Sequence, residues 1–184
     1  AKKRSIFNKK GKEKELLNIA KKSLELEENS EGYFYKGYAY YQLGNYTKAI
    51  NNFSKAISVN PSHIESLHYR GYIKANYFKD YRSAINDFSK ALSIDPEENR
   101  VYVSRGFTYE KIGEYYKAIS DYNLSIEIDS TNSIAYRNRG RAYGFLNQKI
   151  AACNDFKKSF ALGDPIAEDW LKTPGASWCR KMPI

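Results

Sequence analysis

The sequence is poor in the residues that most often carry chemistry or staple a fold. Among 184 residues there are two cysteines, two histidines, two tryptophans and one methionine. Cys153 and Cys179 are too few for a disulfide framework or a zinc site. We expect both as thiols, with a bridge from the tail to the last repeat as the lesser alternative. His63 and His68 stand five apart, a spacing that puts them on different helical faces. Neither cysteine has a histidine near it in sequence. No glycine loop of the phosphate-cradling kind is present, and every glycine reads as part of a repeat or of a tail. A nucleophile, a base and a group to orient them are not assembled. The chain is therefore expected not to be an enzyme, and to use no cofactor, metal or small-molecule substrate. No run approaches eighteen apolar residues, which excludes a helix that spans a membrane. No hydrophobic export segment stands at the start, which favours the cytoplasm and leaves open a segment already removed.

Tyrosine and positive charge are plentiful. There are 17 tyrosines and 9 phenylalanines, and the net charge is +9. A tyrosine buries its ring and keeps its hydroxyl wet, which suits a thin structure with much surface. The charge is uneven. Residues 1–14 hold seven Lys and Arg against Glu13, a net +6 that leaves only +3 for the rest. Residues 1–11 read as a basic, solvated arm, and the alternative is a patch for nucleic acid or another anionic surface.

One pattern recurs four times. Gly37, Gly71, Gly106 and Gly140 are 34, 35 and 34 residues apart, and Ala49, Ala84, Ala118 and Ala152 keep a similar beat. In each copy an aromatic or Leu stands four before the glycine: Tyr33, Leu67, Tyr102, Tyr136. Outside the second copy a Tyr stands three after it. This is one face of a helix. Gly44, Gly113 and Asn147 then break the run as left-handed caps. A second helical run follows, with Phe53, Phe88, Tyr122 or Phe156 four after the alanine. Asn60-Pro61 and Asp95-Pro96 end two of the copies. Each copy is a helix hairpin, with small residues where its two helices press together. The extra residue of the second copy is expected in the turn Tyr77–Asp80.

These positions, in register over residues 30–172, resemble the tetratricopeptide repeat family. The resemblance implies an all-α fold, a right-handed α-solenoid of helix hairpins with capping helices at both ends. The expected organisation is a capping helix over 12–29 with Leu16, Leu17, Ala20 and Leu24 on one side, and repeats at 30–63, 64–98, 99–132 and 133–164. A closing helix follows at 165–173, built from a truncated fifth repeat in which Trp170 takes the leading aromatic slot, with a tail over 174–184.

The residue before each glycine is Lys36, Arg70, Arg105 or Arg139, and the residue three after each key alanine is Asn52, Asp87, Asp121 or Asp155. Arg goes with Asp, and Lys with Asn. We read Arg70–Asp87, Arg105–Asp121 and Arg139–Asp155 as half-buried ion pairs joining the helices of a hairpin.

In the family, the first helix of each hairpin lines an inner groove. Residues of that helix not consumed by packing are then Phe34, Tyr35 and Tyr38 in the first repeat and His68, Tyr69 and Tyr72 in the second. Arg100, Phe107 and Lys111 follow in the third, and Arg137, Asn138 and Arg141 in the fourth. The groove is expected to run from aromatic to basic. It would suit an extended peptide with apolar anchors and an acidic group held by Arg137 and Arg141. The alternative is that these side chains pack on the next repeat and bond nearby acids. The carboxylate clamp of one family variant does not fit, because its positions hold Phe34, Tyr38, Tyr69, Arg100 and Ser104, of which Arg100 alone suits. The expected role is an adaptor or scaffold for a protein segment. Self-association by end-to-end stacking is a further alternative.

Overall fold

A computed structural model describes residues 29–181, together with Gly11, Lys14, Glu15, Leu17, Asn18 and Lys22. Apart from Gly11, the basic arm lies outside the described residues, as do Leu16, Ala20 and Leu24 of the leading cap. The described positions between 14 and 22 are helical. Among the described residues the regular structure is entirely helical, as the pattern requires. Two compact units divide the chain, Ala1–Pro96 and Glu97–Ile184.

The first unit holds two hairpins, α1 (Ser30–Gln42) with α2 (Tyr46–Val59), and α3 (Ile64–Ile73) with α4 (Tyr81–Ile94). Short polar side chains start these helices by accepting orphan backbone N–H groups. Asn29 takes the N–H of Gly32 at 2.7 Å, and Asn45 that of Lys48 at 3.2 Å. His63, buried, uses Nδ1 to accept from Ser66 N at 3.2 Å, so this histidine is a helix cap. The residue added to the second repeat is not in the turn, as its sequence suggested. It is absorbed inside the first helix of the hairpin, where Lys74–Phe78 form a π-helical turn. Lys79, at φ 59°, then ends the helix in the left-handed conformation.

The second unit holds α5 (Asn99–Lys111) with α6 (Tyr115–Ile128), and α7 (Ser133–Phe145) with α8 (Lys149–Ala161). Then come α9 (Pro165–Lys172), a 3-10 turn at Pro174–Ala176 and α10 (Ser177–Arg180). Gly44 (φ 77°), Gly113 (φ 82°) and Asn147 (φ 58°) are the left-handed caps their positions foretold. Asp164 accepts from Ile166 N at 2.9 Å and Pro165 opens α9. At the third repeat Ser130 stands in place of a proline, and Asp129 closes that turn by accepting from Thr131 N at 2.9 Å.

The marked glycines sit where the two helices of a hairpin touch. A Cβ on Gly37, Gly71 or Gly106 would lie 2.8 Å from the ring of Phe53, Phe88 or Tyr122 respectively. In the fourth hairpin the contact moves. Phe156 turns to stack on Trp170, ring centroids 4.0 Å apart, and a Cβ on Gly140 would first meet Cβ of Asp155 at 3.1 Å.

The arginine–aspartate pairs form as read. Arg70 Nε and Nη2 donate to Asp87 at 2.9 and 2.6 Å; Arg105 does the same to Asp121 at 2.9 and 2.8 Å, and Arg139 to Asp155 at 2.8 and 2.7 Å. All three aspartates are buried. Burial pushes the Asp121 and Asp155 carboxyls above the usual range against the pull of their arginines, while the hydrogen bond to Asp121 raises Arg105. In the first hairpin Asn52 Nδ2 donates to its own helix, to Lys48 O at 2.8 Å.

The cysteines correct the expectation of free thiols. Cys153 on α8 and Cys179 on α10 form a disulfide, Cα–Cα 5.5 Å, and both are fully buried. The tail folds back onto the last hairpin, so Cys179 reaches a partner 26 residues earlier in the chain. Arg180 secures the same turn by donating to the carbonyls of Leu171 and Thr173. Met182 lies outside the described residues.

Candidate partner-binding faces

In the first unit the first helices of the hairpins bring their rings together. Phe34 packs within 6.2 Å of Tyr38 and 5.9 Å of Tyr69, and Tyr38 lies edge-on to Tyr69 at 5.4 Å, all between ring centroids. Tyr41 and Tyr72, 6.1 Å apart, extend the cluster. Phe34, Tyr38 and Tyr69 rest on the buried core of Ala49, Phe53 and Ile73, so they are partly structural. Tyr35, exposed, lies edge-on to Phe34 at 5.3 Å, and His68 packs 5.9 Å from the Phe88 ring.

The π-helical turn adds a tyrosine that the repeat pattern did not point to. It places Tyr77 flat on Tyr46 with centroids 3.6 Å apart. Burial, first, and the neighbouring Tyr72 and Tyr77, second, raise the pKa of the Tyr41 hydroxyl. A π-turn re-aims the residues that follow it, and such turns gather at functional surfaces. The sequence signal was present, since the spacing of 35 in place of 34 marks the insertion.

In the second unit the expected basic groove is largely neutralised, which corrects the expectation of cations awaiting a carboxylate. Arg137 Nη1 donates to both oxygens of buried Asp164 at 2.9 and 2.7 Å. Arg141 donates through Nε and Nη2 to buried Glu110 at 2.6 and 3.0 Å, and Arg100 pairs with Glu98. Asn138 is buried and does not face a groove. Phe107 lies beneath two cations, Lys111 Nζ at 4.7 Å and the Arg141 guanidinium at 5.4 Å from its centroid. Among the described residues Lys111 is the groove cation that has no carboxylate partner and lies instead over the Phe107 ring.

A second feature of this unit was not foreseen. Beside the disulfide a cleft of about 360 Å³ opens onto α7, α8, α9 and α10, lined by Gly144, Phe145, Phe156, Trp170, Trp178 and Lys149 among others. Gly144 was the available signal. A Cβ there would meet nothing within 4 Å, so this glycine serves no helix crossing and no positive φ.

Helix hairpins with small residues at each crossing, repeated every 34 or 35 positions, define a helical repeat protein of the α-solenoid class. The chain carries tetratricopeptide repeats: models of that repeat match residues 30–63 and 100–132. A stretch of 53 residues is 40% identical to the TPR repeat-containing protein MJ1428 of Methanocaldococcus jannaschii. That match covers 29% of this chain and only 9% of the relative's length. A crystal structure of MamA has a TM-score of 0.74 at 24% identity, covering 91% of this chain and 95% of that one. MamA from Desulfovibrio magneticus RS-1 gives 0.74 at 20% identity, with coverages of 89% and 90%. YrrB, a TPR protein with an unusual peptide-binding site, gives 0.74 at 17%, with coverages of 92% and 88%. At these identities the solved structures share the fold alone. The fold is that of interaction scaffolds, which act by presenting a surface to another protein.

Proposed function

We propose that the chain is an adaptor that captures an extended segment of a partner protein on the first helices of its hairpins, with the aromatic face of the first unit as the main contact. The observation that carries this reading is the ring cluster from Phe34 to Tyr77, which holds more aromatic surface than its core consumes. Tyr35 and Tyr77 are 38% and 43% exposed, beside half-buried Tyr38 and Tyr72. Rigid amphipathic rings outside the core are the residues from which contact surfaces draw most of their binding energy. Arg137 and Arg141 have no part in this, because internal carboxylates hold them. That YrrB is described as having a peptide-binding site is consistent with such a use of the fold.

The test is affinity capture from the native source with wild-type protein and with a Tyr35→Ser, Tyr72→Ser variant. The variant is expected to keep its far-UV circular dichroism and to lose at least about tenfold in captured partner, the effect of removing two ring contacts. Equal capture by both proteins would overturn the reading.

A further inference from the structure

The cleft beside the disulfide has a structural origin. A fifth repeat would continue its first helix along α7 and α8. Here α9 stops at Lys172, after eight residues, and the chain doubles back through Pro174. The uncovered end of the last hairpin stays open and is roofed only in part by Trp178, which is 37% exposed. The disulfide at the next residue holds that roof in place.

The walls are aromatic faces. Trp170 is braced by its stack on Phe156, and Phe145, 58% exposed, is braced by a stack on Tyr115 at 4.8 Å. Four positions after the crossing glycines the other hairpins carry Tyr41, Ala75 and Glu110, where this one carries Gly144. Glycine inside a helix lowers stability by about 1 kcal/mol relative to alanine. No neighbour requires it here, and its effect is to deepen the cleft. At the rim, Lys149 has no acidic partner among the described residues. Arg141, which also lines the cleft, is held by Glu110 through Nε and Nη2, so Lys149 is the rim cation left for an anion. A volume of about 360 Å³ is at the small end of ligand sites, enough for one side chain and too little for a length of peptide.

We propose that this cleft binds the C-terminal residue of a partner protein when that residue is aromatic. The ring inserts between the faces of Trp170 and Phe145. The terminal carboxylate meets Lys149 at the rim. A chain end is favoured over an internal segment because it carries ring and carboxylate on one residue and need not pass out of a small cleft. The site rests on the reading of the chain as a protein-binding module and names a partner chemistry that the aromatic face of the first unit does not.

Both tryptophans of the chain, Trp170 and Trp178, line the cleft, so intrinsic fluorescence reports occupancy directly. The probe is a synthetic acetyl-Gly-Ser-Gly-Phe peptide, titrated as the free acid and as the C-terminal amide. The free acid is expected to give a saturable change below about 1 mM, with the amide at least about tenfold weaker. Gly144→Leu fills the cleft from a backbone position with open space above it. It is expected to abolish the signal and leave the melting temperature no lower than wild type. Lys149→Glu is expected to weaken the acid and leave the amide unchanged. No saturable change with wild type, equal binding of acid and amide, or unaltered binding by Gly144→Leu would each overturn the proposal. The tyrosine variant of the first unit should bind this peptide normally, so failure of the capture reading and failure of the cleft are told apart.

Discussion

At the scale of single residues, two glycines of the same helix type make opposite predictions. Gly106 faces the buried ring of Tyr122, and a methyl group there would stand 2.8 Å from Cε1. The ring cannot retreat from a closed core, so Gly106→Ala should destabilise by about 1–3 kcal/mol through overpacking. Gly144→Ala meets only open space and should stabilise by up to about 1 kcal/mol through helix propensity. Urea unfolding of the two variants decides it, and equal effects would show that the crossing is not the reason for Gly106. The ion pairs allow a second test. Breaking a buried pair from one side leaves a stranded charge, so Asp121→Asn should cost about 3–5 kcal/mol. The Arg105→Met, Asp121→Asn double variant should recover at least about 1 kcal/mol of the summed loss, the mark of coupled neighbours. These residues were legible in the sequence because their partners sit within the same hairpin and recur with it. Glu110, 31 residues from Arg141, was not. Its position holds Tyr41, Ala75 and Gly144 in the other repeats, so nothing periodic announces it.

At the scale of elements, helix starts and the folded-back tail carry the testable content. Asp80 caps α4, and hydrogen bonds from Ser83, side chain first, hold its carboxyl below the ordinary value of 3.8. A carboxyl lowered on folding lends stability that is present above its unfolded value and is lost as pH falls below it. Asn fills the equivalent cap of the first hairpin at Asn45, and also caps the first helix of the fourth at Asn132. Asp80→Asn should therefore keep the cap and remove the titration. Denaturant midpoints at neutral pH and near pH 3 should show the wild type losing more than the variant across that interval; parallel losses would show that this carboxyl is not the source. The disulfide closes 26 residues. The chain-entropy relation puts such a loop at about 3.5 kcal/mol. A Cys153→Ser, Cys179→Ser variant should lose stability of that order and unmask Trp178 to collisional quenchers, whereas an unchanged quenching profile would mean that Arg180 and the buried turn suffice. The pairing was hidden from the sequence because it depends on the tail reversing direction, and that reversal is set by Pro174 and the packing of Ala176 and Cys179, not by any period.

At the scale of the whole molecule, charge separates the two ways this chain can meet a partner. Its excess is +9, yet residues 1–14 alone carry +6. Among the described residues, Arg70, Arg105 and Arg139 are held by aspartates, Arg137 by Asp164 and Arg141 by Glu110, and Arg100 pairs with Glu98 at the surface. Five of the seven arginines in the repeats are thus held by buried carboxylates, and the surplus of charge is concentrated in the arm. If the arm grips nucleic acid or another polyanion, six neutralised phosphates give a log–log salt dependence of about −5, and deleting residues 1–14 abolishes binding. If the aromatic face grips a protein segment, capture changes by no more than about threefold between about 50 and 200 mM salt, and the deletion leaves it intact. The repeats favour the second outcome, because rings buried against a partner answer to apolar area and not to counterions. Capture measured for the full and truncated chains at both salt concentrations checks it, and a steep loss shared by salt and truncation would move the function from the helix faces to the arm.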